Sequence, residues 1–498
     1  MNRPLSWLLA SALALVLFPR SALPQDKPAE EKKQDPPKKS EQDDLKERAA
    51  GFKKDVTDIR GFKFKTEVKV GAYSRDELLG FLKKEFERES PKEKVEMWAR
   101  TYKHWGLIPK DLDLYQAMLD LYGSSIAGFY HPRSKELRLI RSGDEDKAMK
   151  DQDEQFKQMF GVGMEDITFV HELNHAAQDQ NHDLNSLPLD DETNDDQIAA
   201  IKGLIEGDAS AVGWKFGLKD KYDGIIGMIN GQYKQGTLGG KAQKLPAYLR
   251  KTLAFPYGYG TDFVNALLKN ANDEWSAIDK AFETLPLSTE QILHPKKYYG
   301  TEPDWPTLIE IKDLDKIVGE GWKRTVTNVH GEFVTKLILD EFKVGKRDSR
   351  EKAAEGWDGD RYVCYEDSKG NTCSVWASTW DSKDDAVEFF DLYSKVLEAK
   401  YKEAKKEEAD GKITLTWEGG VASIERKEAD LLVLDSVPAA LAAKSGEILT
   451  ATSKKELKKV DRLKLTWQCA KHQEEKSHKQ DKCTQCGGEM EKISGVHK

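Results

Sequence analysis

The stretch Asp166-Ile167-Thr168-Phe169-Val170-His171-Glu172-Leu173-Asn174-His175-Ala176-Ala177-Gln178-Asp179 decides how the chain is read. Its apolar residues recur at helical spacing, so a helix is expected. Four residues separate His171 from His175. That puts both imidazoles on one helix face, one turn apart, where they can share a metal ion. Glu172 beside them can take a proton from a water on that ion. Ile167, Phe169, Val170, Leu173, Ala176 and Ala177 mark the helix as largely buried. Two His and a Glu in a buried helix are costly without partners, and a metal is the best partner available. The flanks oppose the plainer reading, an exposed helix with two ordinary histidines.

Three protein ligands and one open position make a catalytic zinc site. The metzincin pattern needs Gly three and His six residues after the second His. Those positions hold Gln178 and Asn181, and His182 is one residue out of register. Asp262 is a possible ligand in a poorly matching context. The best third ligand is Glu206, on the next expected helix (197–216) among Ile201, Leu204, Ile205, Ala209 and Val212. An unpaired carboxylate there would be expensive, so it should meet a cation; on an exposed helix edge it would be an ordinary surface Glu. Asp208 is a candidate for orienting a ligand His, or a simple capping or solvent-facing Asp.

Outward from this centre, the chain has 498 residues, net charge -9, 38% hydrophobic and 33% charged residues. The acidic balance argues against nucleic acid as a partner. Leu8–Phe18 is an apolar run too short to span a membrane, which suits a removable export signal at 1–25 and a periplasmic or extracellular location. No transmembrane segment is expected after its removal, and no Cys follows it to carry a lipid anchor. Residues 26–50 are rich in Pro, Lys and Glu and are expected to be a disordered linker. A strand is expected within 56–70, a capping box at Ser74–Glu77 opens a helix, and Gly128–Tyr130 with Leu137–Ile140 suggests a hairpin. The Phe129-Tyr130 strand is either an edge on which an extended peptide docks or a plain structural hairpin.

After Trp305 the texture changes. A hairpin at 362–376, an amphipathic helix at 384–404 and strands at 413–417 and 431–434 read as a separate accessory domain. Cys364 and Cys373 flank a turn and are expected to form a disulfide across the hairpin. Near the end, Cys469-x2-His472, ten residues, then Cys483-x2-Cys486 offers four soft ligands suited to a closed structural zinc site, against a Cys483–Cys486 disulfide. Residues 51–305, 306–460 and 464–492 are thus three expected units: a mainly helical catalytic domain with a small edge sheet, an α+β accessory domain and a short zinc ribbon.

The segment from Val170 to Gln180, with Leu204–Ala209, resembles a family of exported bacterial zincins of gluzincin type. Phe255-Pro256-Tyr257-Gly258-Tyr259-Gly260 and Ser288–Pro295 share in the resemblance, which spans roughly 68–299 and less firmly Gly356–Asp360. It implies a zincin fold and hydrolysis of peptide bonds in a peptide or protein substrate. It also implies a group that stabilises the oxyanion, for which His294, Tyr257 and Tyr259 are the candidates. The terminal knuckle is similar in spacing to a small heavy-metal-binding domain. It departs from that pattern at Ala470-Lys471 and Gly487-Gly488, which favours a structural zinc ribbon over soft-metal handling. Two other readings stay open: a non-catalytic envelope protein that keeps the zincin fold, and a metal-handling protein acting through the knuckle.

Overall fold

The computed structural model describes residues 41–122, 128–140, 147–189, 191, 193–457 and, near the C-terminus, 467–468, 476–477, 486 and 491–492. The expected export signal, residues 26–40 of the expected linker, and Cys469, His472 and Cys483 lie outside the described residues. The fold is α+β. Among the described residues no helix is long and apolar enough to cross a membrane.

The first element corrects the linker boundary. Residues 41–50 belong to helix α1 (Glu41–Arg60). Leu45, Ala49 and Val56 recur at helical spacing and are buried against Phe169, Val170 and Leu173. The expected strand at 56–70 is also displaced. The helix runs to Arg60, Phe62 and Val68 are buried in an irregular segment, and strand β1 is Lys69–Tyr73. The capping box at Ser74 forms as expected and opens α2 (Arg75–Glu89), with Glu77 N donating to Ser74 Oγ and Ser74 N to Glu77 Oε2. Helices α3 (Lys92–His104) and α4 (Leu114–Tyr122) follow.

The hairpin is present as β2 (Gly128–His131) and β3 (Glu136–Ile140), paired antiparallel, with β1 parallel to β3 on the other side. The order β1-β3-β2 leaves β2 at an edge. After α5 (Lys147–Phe160) comes α6 (Met164–His182), which carries the histidine motif. It ends where Asp183 turns left-handed at φ 50° and its N–H bonds Asp179 O. One side of α6 packs into the cluster of α1 and the small sheet; the other meets α7 (Asp195–Leu218). Helix α8 (Tyr222–Lys234) leads to α9 (Ala247–Asn270). Helices α7 and α9 touch backbone to backbone. A Cβ on Gly207 would lie 2.3 Å from the Gly260 carbonyl oxygen, which only glycine permits. Three short helices, α10 (Ser276–Glu283), α11 (Thr289–Leu293) and α12 (Pro295–Tyr299), complete this half.

The C-terminal half is built on a seven-stranded antiparallel sheet in the order β5-β6-β7-β11-β10-β9-β8. Strand β4 (Thr307–Ile311) and helix α13 (Leu314–Val318) precede β5 (Trp322–Asn328). Helices α14 (Gly331–Glu341) and α15 (Arg347–Glu355) follow, then the hairpin β6 (Trp357–Asp367) and β7 (Thr372–Trp380). Helix α16 (Lys383–Lys400) precedes β8 (Lys405–Ala409), β9 (Lys412–Trp417), β10 (Gly420–Lys427) and β11 (Asp430–Val437).

Strand alternation sends one set of side chains to each side of this sheet. Val363, Cys373, Val375 and Leu432 face a small core closed by β4 and α13. Tyr362, Cys364, Trp376 and Val433 join the core of the helical half. The expected separate accessory domain therefore shares its core with the helical half. Trp105, just after α3, meets the His330 ring edge-on at 4.8 Å, and His330 stacks on Tyr362 at 4.0 Å. The same alternation removes the expected disulfide. Cys364 sits opposite Ser374, and Cys373 opposite Tyr365. The register is one residue out, the two thiols point to opposite faces, and both are buried and free.

Candidate metal centre

Burial and helix geometry bring the sequence candidates together. His171 and His175 lie one turn apart on α6, ring edge to ring face, with their Nε2 atoms 3.0 Å apart. Glu206, from the middle of α7, places Oε2 3.3 Å from each Nε2. All three side chains are buried. Two ligand atoms at about 2.0–2.1 Å from a tetrahedral zinc stand about 3.3 Å apart, so these three donors match one face of such a tetrahedron. Glu206 Oε2 has no hydrogen-bond partner, and an orphaned buried carboxylate oxygen between two imidazoles fits a cation ligand.

The electrostatics agree. Burial drives the Glu206 carboxyl up, but His175 and His171 overcome this and hold it well below the usual carboxylate range. Burial lowers His175, and Glu206 more than reverses this, lifting it to about 9. His171 is lowered, chiefly by burial. The carboxylate thus draws positive charge to the point where the three donors converge.

Glu172 stands beside this triangle, with a carboxylate oxygen within 4.8 Å of both histidines' donor atoms. Its Oε2 accepts the Tyr130 backbone N–H from edge strand β2 at 2.6 Å. Its Oε1 is buried and has no partner. Burial, the largest influence, raises this carboxyl to about 8. The small sheet is held to α6 by a second link, since Asp179 Oδ2 accepts from Tyr130 OH at 2.7 Å and from Lys135 Nζ at 2.6 Å.

Of the oxyanion candidates, Tyr257 belongs here. The Gly- and Pro-rich segment around it, which reads like a turn, lies inside α9, and the glycine contact with α7 brings Tyr257 to the site. Its ring centre is 6.3 Å from that of His171. Its hydroxyl is buried without a hydrogen-bond partner, and burial followed by the charges of Glu206 and Glu172 raises its pKa far above the usual value. His294 does not belong. It follows the end of α11, its Nε2 is 2.8 Å from Glu332 Oε1, and its Nδ1 is 4.0 Å from Glu355. Ile292, two residues earlier, packs on α7 at Gly203, and Thr289 Oγ1 donates to Asp196 of the same helix. Tyr259 packs on Phe255 and Phe333. Asp262 accepts from Asn230 and pairs with Lys234, so it is no ligand.

Asp208 acts at one remove from the histidines. Its Oδ1 accepts Arg60 Nε at 2.7 Å, its Oδ2 accepts Gln178 Nε2 at 2.9 Å, and Gln178 Oε1 is 2.8 Å from His175 Nδ1. Gln178, Arg60 and the Tyr130 N–H escape the sequence reading. Only Gln178 left a signal, three residues after His175 on the same helix face.

A cavity of about 200 Å³ lies apart from the donors, lined by Tyr102, Ile198, Tyr248, Phe255 and Phe333 among others. Of the expected terminal zinc ligands only Cys486 is described, and it is exposed. In the same segment, strands β12 (Trp467–Gln468), β13 (Lys476–Ser477) and β14 (Glu491–Lys492) pair antiparallel with β12 central.

Comparison with known proteins adds little about this centre. A family described as a domain of unknown function (DUF8575) matches residues 318–445, within the C-terminal half and clear of α6, α7 and α9. No curated protein matches the chain. A crystal structure from Chloroflexus aurantiacus, named "putative hydrolase with a novel fold", is similar with 18% identity and a TM-score of 0.33, over 59% of this chain and 97% of that one. At that TM-score the likeness carries no argument about fold or activity.

Proposed function

We propose that the chain is an exported zinc-dependent metallopeptidase, with His171, His175 and Glu206 as the metal ligands. One observation carries this: three buried donors from two helices, 3.0, 3.3 and 3.3 Å apart, whose central carboxylate oxygen has no other partner. Zinc held there supplies Lewis acidity, polarising a peptide carbonyl and acidifying a water. Glu172 serves as the base. Tyr130 N–H pins Oε2, so Oε1 is the oxygen free to take a proton and return it to the leaving amine. Tyr257 OH, with no partner of its own, donates to the carbonyl oxygen as negative charge develops on it. A structural zinc ribbon at Cys469, His472, Cys483 and Cys486 belongs to the same proposal.

A second reading has one observation in its favour. Glu172 and Tyr257 are 0% and 1% exposed, which also suits a sealed centre in a non-catalytic envelope protein. Zinc content and peptide-library cleavage of the wild type and Glu172→Gln separate the two. The peptidase reading expects unchanged zinc and a loss of cleavage of about 10²–10⁴-fold in the variant. Bound zinc with no cleavage by the wild type, or equal cleavage by both proteins, hands the case to the binding protein.

A further inference from the structure

We infer that Arg60, Asp208 and Gln178 are positioning residues that select the tautomer of His175 and thereby set its affinity for the metal; the inference rests on the zinc reading above. The argument follows the protons. Gln178 Nε2 has two hydrogens, and both are committed to acceptors, Ile205 O at 2.9 Å and Asp208 Oδ2 at 2.9 Å. That fixes which way the amide faces, so the atom it presents to His175 Nδ1 at 2.8 Å is its oxygen. An amide oxygen only accepts. Nδ1 therefore carries the proton, and in the neutral ring Nε2 is left with the lone pair, aimed at Glu206 Oε2 and His171 Nε2.

The carboxylate of Asp208 is what makes this orientation hold. It accepts on both oxygens, from Gln178 on one side and from Arg60 Nε at 2.7 Å on the other. Arg60 is itself held, with Nη2 donating to Asp279 at 2.8 Å and its guanidinium 3.9 Å over the Phe62 ring. Arg60, Asp208 and Gln178 are all buried, so water does not compete for these bonds. Partners that orient a ligand histidine typically change metal affinity about 10–100-fold when removed. Because Arg60 is the last residue of α1, the same chain ties metal affinity to the docking of the N-terminal helix.

Asp208→Asn tests this with almost no change of shape. Arg60 can donate only to the oxygen of the new amide, so the new NH2 faces Gln178 Nε2, donor against donor. Turning the Gln178 amide over relieves this clash at the cost of its bond to Ile205 O, and presents its own NH2 to His175 Nδ1. The imidazole proton then moves to Nε2, where it blocks the metal. The double variant Asp208→Asn with Gln178→Glu restores the acceptor facing His175. The introduced carboxylate accepts from the introduced amide on one oxygen and from His175 Nδ1 on the other, with the buried charge unchanged and the bond to Ile205 O lost.

The experiment measures zinc affinity of the full chain by competition with a chelator. It also reads the His175 tautomer by selective ¹⁵N-histidine NMR of the zinc-free protein, in a pH series carried up to the neutral imidazole. Support is a loss of about 10–100-fold in Asp208→Asn, with the proton moved to Nε2, and recovery toward wild type in the double variant. Should the single variant fail to fold, a folded double variant with near-wild-type affinity and an Nδ1 proton still supports the inference. Unchanged affinity and tautomer in Asp208→Asn overturn it, and so does a folded double variant that binds no more tightly than the single one. A wild type that binds no zinc, while His175 keeps its Nδ1 proton, instead overturns the metal reading on which the inference stands.

Discussion

The contact between α7 and α9 is where one methyl group should damage both fold and site. In Gly207→Ala the new Cβ would lie 2.3 Å from the Gly260 carbonyl oxygen and 3.0 Å from Thr261 N. Both neighbours are backbone, so no side chain can swing away. Ordinary contact begins at 3.4 Å, and the helices must part by about 1.1 Å (3.4 less 2.3). Overpacking of this kind costs about 1–3 kcal/mol, and the backbone target places this case at the upper end. Glu206 is the neighbouring residue on α7 and Tyr257 lies one turn before Gly260 on α9. A shift of about 1 Å exceeds the roughly 0.2 Å tolerance of a metal-ligand distance. Zinc affinity should therefore fall with stability. Gly231→Ala in α8 is the control. Nothing lies within 4 Å of its Cβ, so it should stabilise by about 0.5–1 kcal/mol. Urea midpoints and zinc competition read both variants. A Gly207→Ala protein as stable as wild type, with unchanged zinc affinity, would show that α7 and α9 are not packed as described.

Other predictions concern separate parts of the molecule. Tyr257→Phe should keep its zinc and lower kcat by about 10²–10³-fold, as loss of an oxyanion donor does; an unchanged kcat removes Tyr257 from the chemistry. Acid should loosen the junction between the two halves, where burial holds His330 down at about 3 and His104 at about 4. Both folded values lie below the unfolded value of about 6.5, so their contribution is intact above that pH and is lost as pH falls below it. At pH 5 each should cost about 2 kcal/mol, visible as a lower urea midpoint than at pH 7 and reduced in His330→Phe. Cys364 and Cys373 should resist a thiol reagent in the folded protein and both be alkylated in denaturant without reductant. A mass showing them joined would contradict the strand register.

How much of this was legible beforehand follows from the range of each interaction. His171, Glu172 and His175 were readable because helix periodicity alone puts them on one face. Glu206 was readable because a carboxylate inside an apolar helical stretch needs a cation. Tyr257 was one of three candidates, and nothing local distinguished it from His294, which turns to Glu332 instead. The Gly-rich segment around Tyr257 reads as a turn, since its glycines matter only when a second helix lies against them.

The sequence by itself determined the metal motif, most helices, the β2–β3 and β6–β7 hairpins and the α+β class, all of which follow from patterns within about twenty neighbouring residues. Tertiary structure alone decided the rest. It settled which strand register separates Cys364 from Cys373, and that α1 folds onto the small sheet. It merged the two halves into one core through Trp105 and His330, and it joined Arg60 to His175 through Asp208 and Gln178. Those contacts link residues up to 225 positions apart (Trp105 to His330), and their geometry depends on how whole helices and sheets pack rather than on any local spacing.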